Sequence, residues 1–256
     1  MARFGIYGAN GRMGKLLCAH LAAHNEHSLA SVFVREKLDF SLPPQTLATN
    51  DLRAFLNETQ IAVDFTSPSG TETLLEAALN GKSPPLVIGT TGLNSHQQNL
   101  LKQAAEKTPI LYATNMSLGI ALLDNLVYAA AKALKDFDVE ITDMHHNRKK
   151  DAPSGTALSL AASVAKARET ELDKAMVSGR NGSIGERAKE EIGVFSLRGG
   201  DIVGEHTVGF YGEGEYIRFT HAATSRSTFA VGAIKAGAWL LSQPNGLYSI
   251  RDYFQL

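Results

Sequence analysis

Short apolar runs alternate with helical periodicity through the first half of the chain, and this constrains the fold more than any other feature. Phe4–Tyr7, Leu29–Val34, Ile61–Thr66, Leu86–Thr90 and Ile110–Thr114 read as strands. Arg12 to His24, Asp51–Asn57, Ser69–Asn80 and Ser95–Lys107 read as helices, the first with Met13, Leu16, Leu17 and Leu21 on one face. Apolar strands in that rhythm imply a parallel sheet covered by helices on both sides.

The pattern then changes. Leu118–Leu134 and Ser154–Arg168 are long helices flanking a strand at Asp138–Met144. Three β-like runs follow, Ile192–Leu197, Gly204–Tyr211 and Glu215–His221, divided by glycine-rich turns. They suggest an antiparallel meander in a second, α+β domain, before a last helix at Phe229–Leu241. Asp173–Lys189, rich in Gly, Ser and charge, reads as a mobile loop.

Gly8-Ala9-Asn10-Gly11-Arg12-Met13-Gly14 joins the first strand to the first helix. Its glycines are spaced G-x-x-G-x-x-G, in the strand–turn–helix setting of a dinucleotide site, where backbone amides at a helix end meet a pyrophosphate. The fold class expected is therefore a Rossmann-like doubly wound parallel sheet plus a second α+β domain with a mostly antiparallel or mixed sheet. Arg12 can add a charge to a phosphate. After the second strand, Arg35 favours NADPH, while Glu36 beside it keeps NADH open. Asp64 to Pro68, Gly89-Thr90-Thr91-Gly92 and Ala113-Thr114-Asn115-Met116 end later strands, where such a sheet holds its ligand. Ordinary helix caps are the alternative for each.

Composition narrows the partners. Lysine plus arginine number 25 and aspartate plus glutamate 26, a net charge of −1, which removes the bulk electrostatic case for nucleic acid or a membrane surface. Cys18 is the only cysteine, so neither an intramolecular disulfide nor a multi-cysteine metal site is available. The opening MARFGIYGAN has no signal-peptide pattern, and no apolar run has bilayer length. A soluble, cytoplasmic protein is expected.

Met144 to Ala157 carries the chemistry: His145, His146, Arg148, Lys149 and Lys150 precede a helix start at Pro153-Ser154-Gly155-Thr156. Amides at Ser154, Gly155 and Thr156, with the Thr156 hydroxyl, form an anion site suited to a small multiply carboxylated substrate. Histidine is the natural proton donor near neutrality. Adjacent histidines on a strand face opposite ways, and no carboxylate triad stands near, so no metal is expected.

The stretch from His145-His146 through Lys149 to Asp151-Ala152-Pro153-Ser154-Gly155-Thr156-Ala157 resembles the signature of the dihydrodipicolinate reductase family. Gly8–Gly14, Gly89–Gly92, Arg198-Gly199-Gly200 through Gly204-Glu205-His206, and His221 to Arg226 resemble other segments of that family, so the likeness spans nearly the whole chain. It implies an NAD(P)H-dependent step of lysine and diaminopimelate biosynthesis. In that step 4-hydroxy-tetrahydrodipicolinate loses water and takes a hydride at the ring carbon that held the hydroxyl. The likeness further implies His145 in proton transfer, Lys149 as proton donor, and His146, Ser154, Gly155 and Thr156 on the dicarboxylate. Gly8, Ala9, Asn10, Gly11, Arg12, Met13, Gly89, Thr90, Thr91 and Ala113, Thr114, Asn115 and Met116 would contact the dinucleotide. Many members carry an acid where this chain has Val34, which leaves Arg35 to discriminate and favours NADPH.

The same resemblance sends residues 227–256 back to the cofactor domain. It divides the chain into a dinucleotide-binding domain, 1–116 with 227–256, and a substrate-binding and oligomerisation domain, 117–226. A homotetramer through the second sheet is expected, with hinges near Met116–Leu118 and Thr224–Ser227. Two alternatives remain from the residues alone: another two-domain NAD(P)-dependent dehydrogenase acting on an amino or aldehyde acid, and a dinucleotide-sensing regulator that would not need the histidine–lysine cluster.

Overall fold

Arg3–Tyr7 (β1) is buried at every position but its first, which is what a central strand needs when helices cover both faces of its sheet. In this computed structural model, residues 1–254 are described. The chain continues through Arg12–Ala23 (α1), Ser28–Phe33 (β2), Leu47–Thr49 (β3), Leu52–Glu58 (α2) and Ile61–Asp64 (β4). Pro68–Leu79 (α3), Leu86–Ile88 (β5), Ser95–Ala105 (α4) and Pro109–Tyr112 (β6) follow. The caps are local and conventional: Asp51, Ser67 and Asn94 accept first-turn amides, and Asn94 with Gln97 forms a capping box.

Leu118–Ala133 (α5), Asp138–His145 (β7), Gly155–Ala167 (α6), Leu172–Ala175 (α7) and Met176–Val177 (β8) come next, then Ile192–Arg198 (β9), Gly204–Tyr211 (β10) and Tyr216–Ala223 (β11). Ser227–Leu240 (α8), Gly246–Tyr248 (β12) and a 3-10 turn at Ile250–Phe254 complete the described chain. The chain folds into two units, Met1–Leu118 with the segment from Ser227 onward, and Gly119–Arg226. Gln255 and Leu256, which the sequence division places in the first unit, lie outside the described residues.

The first unit holds a seven-stranded, wholly parallel sheet in the order β12-β6-β5-β4-β1-β2-β3. Strand order reverses between β1 and β4, the place where an open α/β sheet opens a crevice. The edge strands β3 and β12 carry no legible strand pattern, because each is three residues with no fully buried position.

The second unit is a five-stranded mixed sheet, β11-β10-β7-β9-β8. Here the expected meander is corrected. β10 and β11 form an antiparallel hairpin, but β9 does not join β10; β7 lies between them, parallel to β9 and antiparallel to β10. The physical reason is that one face of β7 is completed from both edges: Val139 and Ile141 pack with Ile192 and Val194 of β9 and with Val208 and Phe210 of β10 beneath α5 and α6, and Asp143 draws partners from both neighbours. The far side of the sheet leaves Leu197 and Tyr216 exposed.

The stretch expected to be mobile is tied down. Arg180 pairs with Glu140 and Glu191, and Arg187 with Asp138 and Glu140, at 2.8–3.1 Å. Most of these partners lie far away in sequence, so loop composition could not reveal them. Among the described residues no helix is long and apolar enough to cross a membrane.

Two glycines mark close approaches. A Cβ on Gly14 would stand 2.4 Å from the Gly8 carbonyl oxygen, and one on Gly232 in α8 only 1.8 Å from that of Met116. Both neighbours are backbone and cannot swing aside. Gly232→Ala should therefore lower stability by about 1–3 kcal/mol. Gly179→Ala, where a Cβ meets nothing within 4 Å, should leave the urea midpoint nearly unchanged. Equal midpoints for the two variants would refute the packing argument.

Candidate active site

The β1–α1 turn is built by backbone bonds. Gly8 takes φ +83°, and a Cβ there would stand 2.3 Å from Thr66 Cγ2, so glycine is required. The Gly8 and Ala9 amides donate to the Phe33 carbonyl at 3.0 and 3.4 Å, and that of Gly11 to the Gly8 carbonyl at 3.1 Å. These bonds shape the turn and occupy amides that the motif alone would aim at a phosphate. Gly11 is the N-cap of α1 and offers no capping side chain, which leaves the amides of Arg12 and Met13 at the positive helix end. Asn10 donates to the Lys37 carbonyl at 3.3 Å and so ties the turn to the segment after β2.

A cleft of about 680 Å³ opens beside the turn, at the reversal between β1 and β4. Gly8, Asn10, Gly11 and Arg35 line it, together with Thr66 and Ser67 from the β4–α3 turn, one of the strand ends where the sequence expects a ligand. Arg35 and Glu36 both reach it, and Arg35 holds no carboxylate partner among the described residues. The β4–α3 turn is organised by Asp64, which accepts from the Thr66 amide at 2.8 Å, the Thr66 hydroxyl at 2.6 Å and the Thr71 hydroxyl. Burial pushes the Asp64 carboxyl above the usual range, and the hydroxyl bonds only partly oppose it.

Of the other expected cofactor residues, all outside that lining, Ala9, Arg12 and Met13 belong to the same β1–α1 turn and helix start, and the rest follow the carboxyl ends of β5 and β6. The Gly89 amide donates to the Asp64 carbonyl, and a Cβ on Gly89 would strike the Phe65 ring at 2.2 Å. Thr90 is buried, Thr91 exposed. The Ala113 amide bonds to the Ile88 carbonyl, Thr114 is exposed, and Asn115 Oδ1 accepts the Ser117 amide. Met116 is a core side chain, and only its backbone is placed to meet a ligand. These groups fit a dinucleotide: an uncapped helix end, a turn no Cβ could enter and an unpaired arginine on one cleft.

In the second unit, β7 carries the chemistry on its buried face. Val139, Ile141, Asp143 and His145 all point inward, so an apolar stripe ends in an acid and an imidazole. Register completes the cluster: Asp143 stands opposite Ser196 of β9 and His206 of β10, and His145 opposite Arg198. Asp143 is fully buried. Its Oδ2 accepts from the Ser154 amide at 2.9 Å, the Ser196 hydroxyl at 3.1 Å and Arg198 Nη2 at 3.0 Å. Its Oδ1 faces His145 Nδ1 at 2.8 Å and His206 Nε2 at 3.3 Å. The His145 contact is close but too poorly aligned to count as a hydrogen bond. Burial alone would raise the Asp143 carboxyl, but its bonds from His206, Ser154 and Arg198 outweigh that and hold it far below the carboxylate range.

The same carboxylate braces the β7–α6 loop. Ser154 is the N-cap of α6, its hydroxyl accepting the Ala157 amide at 3.2 Å and lying 3.0 Å from His206 Nε2. Gly155 heads the helix, and a Cβ there meets nothing within 4 Å, so packing does not call for glycine. His146 is bound through its amide to the Ile202 carbonyl, while its buried Nδ1 has no hydrogen-bond partner among the described residues. Lys149 Nζ pairs with Asp151 at 2.9 Å, and Lys150 is exposed. Sequence reasoning brings together His145, Lys149 and Ser154–Thr156, but misses Asp143, Ser196, Arg198 and His206 as site residues. The legible signal is the polar pair Asp143 and His145 continuing an apolar alternation.

The expectation of no metal rests on His145 and His146. A different trio assembles instead: Asp143, His145 and His206 bring three potential ligand atoms within 4.8 Å. Arg198 on the same carboxylate and the positive end of α6 oppose a cation there.

The first unit is a nucleotide-binding dehydrogenase fold, which places the chain among oxidoreductases that use a nicotinamide dinucleotide. The chain belongs to the dihydrodipicolinate reductase family. That family's N-terminal model matches residues 2–116 and its C-terminal model residues 119–254. Among relatives named 4-hydroxy-tetrahydrodipicolinate reductase, that of Wolinella succinogenes is 59% identical over 252 residues, covering 98% of each chain. The one from Helicobacter hepaticus is 53% identical over 256 residues, covering 100% of each. A dipicolinate-bound dihydrodipicolinate reductase from Paenisporosarcina sp. TG-14 superposes with a TM-score of 0.80 at 25% identity, covering 97% of both chains. The C. glutamicum DAP dehydrogenase in complex with DAP shares the fold, with a TM-score of 0.60 at 14% identity over 98% of this chain and 93% of that one.

Burial lowers the His145 imidazolium from its ordinary value of 6.5; Asp143 opposes this, while His206, Lys149 and Arg198 add to it. His221 is lowered too, by burial first and His206 second. A histidine with a folded pKa below its unfolded one leaves stability intact above about pH 6.5 and removes it as the pH falls toward the folded value. The urea midpoint should therefore drop from about pH 7.5 to about pH 5, and drop less in His221→Asn. An equal drop in that variant would show that His221 does not contribute.

Proposed function

We propose that this protein reduces 4-hydroxy-tetrahydrodipicolinate to tetrahydrodipicolinate with NADPH in preference to NADH. The observation that carries this reading is the His145–Thr156 segment, where an imidazole, a lysine and a helix end with an unpacked glycine converge on one loop. The substrate's two carboxylates need donors. The Gly155 amide, the Thr156 hydroxyl and His146 supply them, and glycine at 155 keeps the backbone open to a close approach.

When bound, the dinucleotide supplies the hydride. Its phosphates belong at the α1 end by the amides of Arg12 and Met13, with Arg35 reading the 2′-phosphate where Val34 provides no acid. Charge that develops on the ring nitrogen is met by cations. Lys149 can leave its exposed partner Asp151 at little cost, because ion pairs near solvent are weak. The proton then comes from Lys149 or from His145 in its charged form.

The open face of the second sheet, with Leu197 and Tyr216 exposed, supports a homotetramer built on that face. A cytoplasmic setting fits a biosynthetic reductase of this kind.

NADPH oxidation followed spectrophotometrically, with substrate made in situ by the synthase that precedes this step, tests the activity. His145→Ala and Lys149→Ala should lower kcat by about 10²–10⁴-fold with NADPH binding intact. His146→Ala and Thr156→Ala should act chiefly on KM for the dicarboxylate. Lys150→Ala should behave as the unchanged chain does; a critical Lys150 beside a dispensable Lys149 would overturn the role assignment.

Arg35→Ala should raise KM for NADPH far more than for NADH. Equal effects would remove Arg35 from 2′-phosphate recognition.

A further inference from the structure

Two imidazoles face one oxygen of a buried carboxylate, and the proposed reaction uses only one of them. His145 Nδ1 lies 2.8 Å and His206 Nε2 3.3 Å from Asp143 Oδ1. Three further donors already fill Oδ2. The rings of His145 and His206 meet edge to face with centroids 5.2 Å apart. We propose that Asp143 and His206 are a positioning pair: they hold His145 with its proton on Nδ1 and Nε2 bare, and through Ser154 they set the anion-receiving end of α6.

The tautomers follow from what each nitrogen faces. Were His145 Nδ1 unprotonated, its lone pair would lie beside an anionic oxygen only 2.8 Å away, with no proton between them, a repulsive arrangement in a buried site. With the proton there, Nε2 is left bare. The ring keeps its place because β10 is bare at Gly204, where a Cβ would stand 3.0 Å from Nε2. On His206 it is Nε2 that faces the acceptors, Asp143 Oδ1 at 3.3 Å and Ser154 Oγ at 3.0 Å, while Nδ1 is buried with no acceptor beside it among the described residues, so the proton belongs on Nε2. An unpaired lone pair there costs less than an orphaned N–H.

The consequence for chemistry is directional. His145 exchanges its second proton at Nε2, and the resulting imidazolium is steadied by Asp143 at the opposite nitrogen. Asp143 of β7 favours that charged form; His206 of β10, Arg198 of β9 and Lys149 of the β7–α6 loop disfavour it. Because Ser154 both caps α6 and touches His206, the pair also couples ring placement to the helix end.

The catalytic part rests on the reductase reading; the tautomer part does not, and the experiment separates them. In ¹⁵N-histidine-labelled full-length protein above the titration of His145, long-range ¹H–¹⁵N correlation spectra should show His145 protonated on Nδ1 and His206 on Nε2. Asp143→Asn should abolish the Nδ1 preference of His145 and move its titration to lower pH. It should lower kcat by about 10–100-fold, the loss typical when an imidazole loses its orienting partner. His206→Phe should raise KM for the dicarboxylate, and His206→Gln, whose amide can still donate to Asp143, should restore part of that loss.

A wild-type spectrum with His145 protonated on Nε2 overturns the proposal, with no variant needed. So does a folded Asp143→Asn protein with tautomer and titration unchanged. If Asp143→Asn fails to fold, the wild-type tautomers and the contrast between the two His206 variants decide. The predicted tautomers in a protein inactive on 4-hydroxy-tetrahydrodipicolinate would refute the reductase reading and leave the positioning pair standing.

Discussion

The second unit depends on one carboxylate with no water to solvate it. Asp143 has none of its side chain exposed, and an isolated buried charge of that kind costs several kcal/mol. Three donors on Oδ2 and two imidazoles against Oδ1 compensate. A hydrogen bond to a charged group contributes about 1.5–3 kcal/mol, so the set offsets the cost of burial only when it is complete. The donors come from β9, β10 and the loop entering α6, so the carboxylate specifies strand register as well as site geometry. A one-residue slip of β9 or β10 would turn Ser196, Arg198 or His206 to the wrong face and leave the charge without partners.

Asp64 in the first unit offers a contrast: it is equally closed to solvent but set deeper in the protein. Its side-chain donors are hydroxyls of Thr66 and Thr71, all neutral, and burial wins. Asp143 has a guanidinium and two imidazoles nearby, and the bonds win. The two acids do different structural work. Asp64 holds the turn after β4 so that Thr66 abuts Gly8, and the glycine turn keeps its shape because that threonine methyl leaves no room for a Cβ. Asp143 instead gathers separate strands and a helix end.

What the sequence made legible was local. The Gly8–Gly14 turn and the helix start around Pro153–Thr156 are each set within a dozen residues, and both stand where their patterns put them. Two kinds of information were lost. One is strand insertion: β9, β10 and β11 follow one another in sequence, but the pairing that places β7 between β9 and β10 depends on side chains distant in the chain, among them the partners that Asp143 draws from both neighbours. The other is long-range charge pairing, as in Arg180 and Arg187, which convert a segment of loop-like composition into one tied to β7 and β9. The Gly8 and Ala9 amides show the reverse error. A motif that signals phosphate binding says nothing of which amides its own turn consumes, and here the Phe33 carbonyl takes two of them.

Net charge and local field part company in this protein. A formal charge of −1 gives no reason to expect attraction of anions. Yet Arg148, Lys149 and Lys150 lie together on the loop between β7 and α6, and the positive end of α6 points out of the same loop. The nearest acids do not cancel this field. Asp143 is committed to Arg198 and its other donors, and Asp151 is exposed, so water screens its charge while it holds Lys149. A multiply charged anion therefore meets a positive patch on a nearly neutral molecule, and the buried acid that organises the nearby helix end adds little negative charge to it.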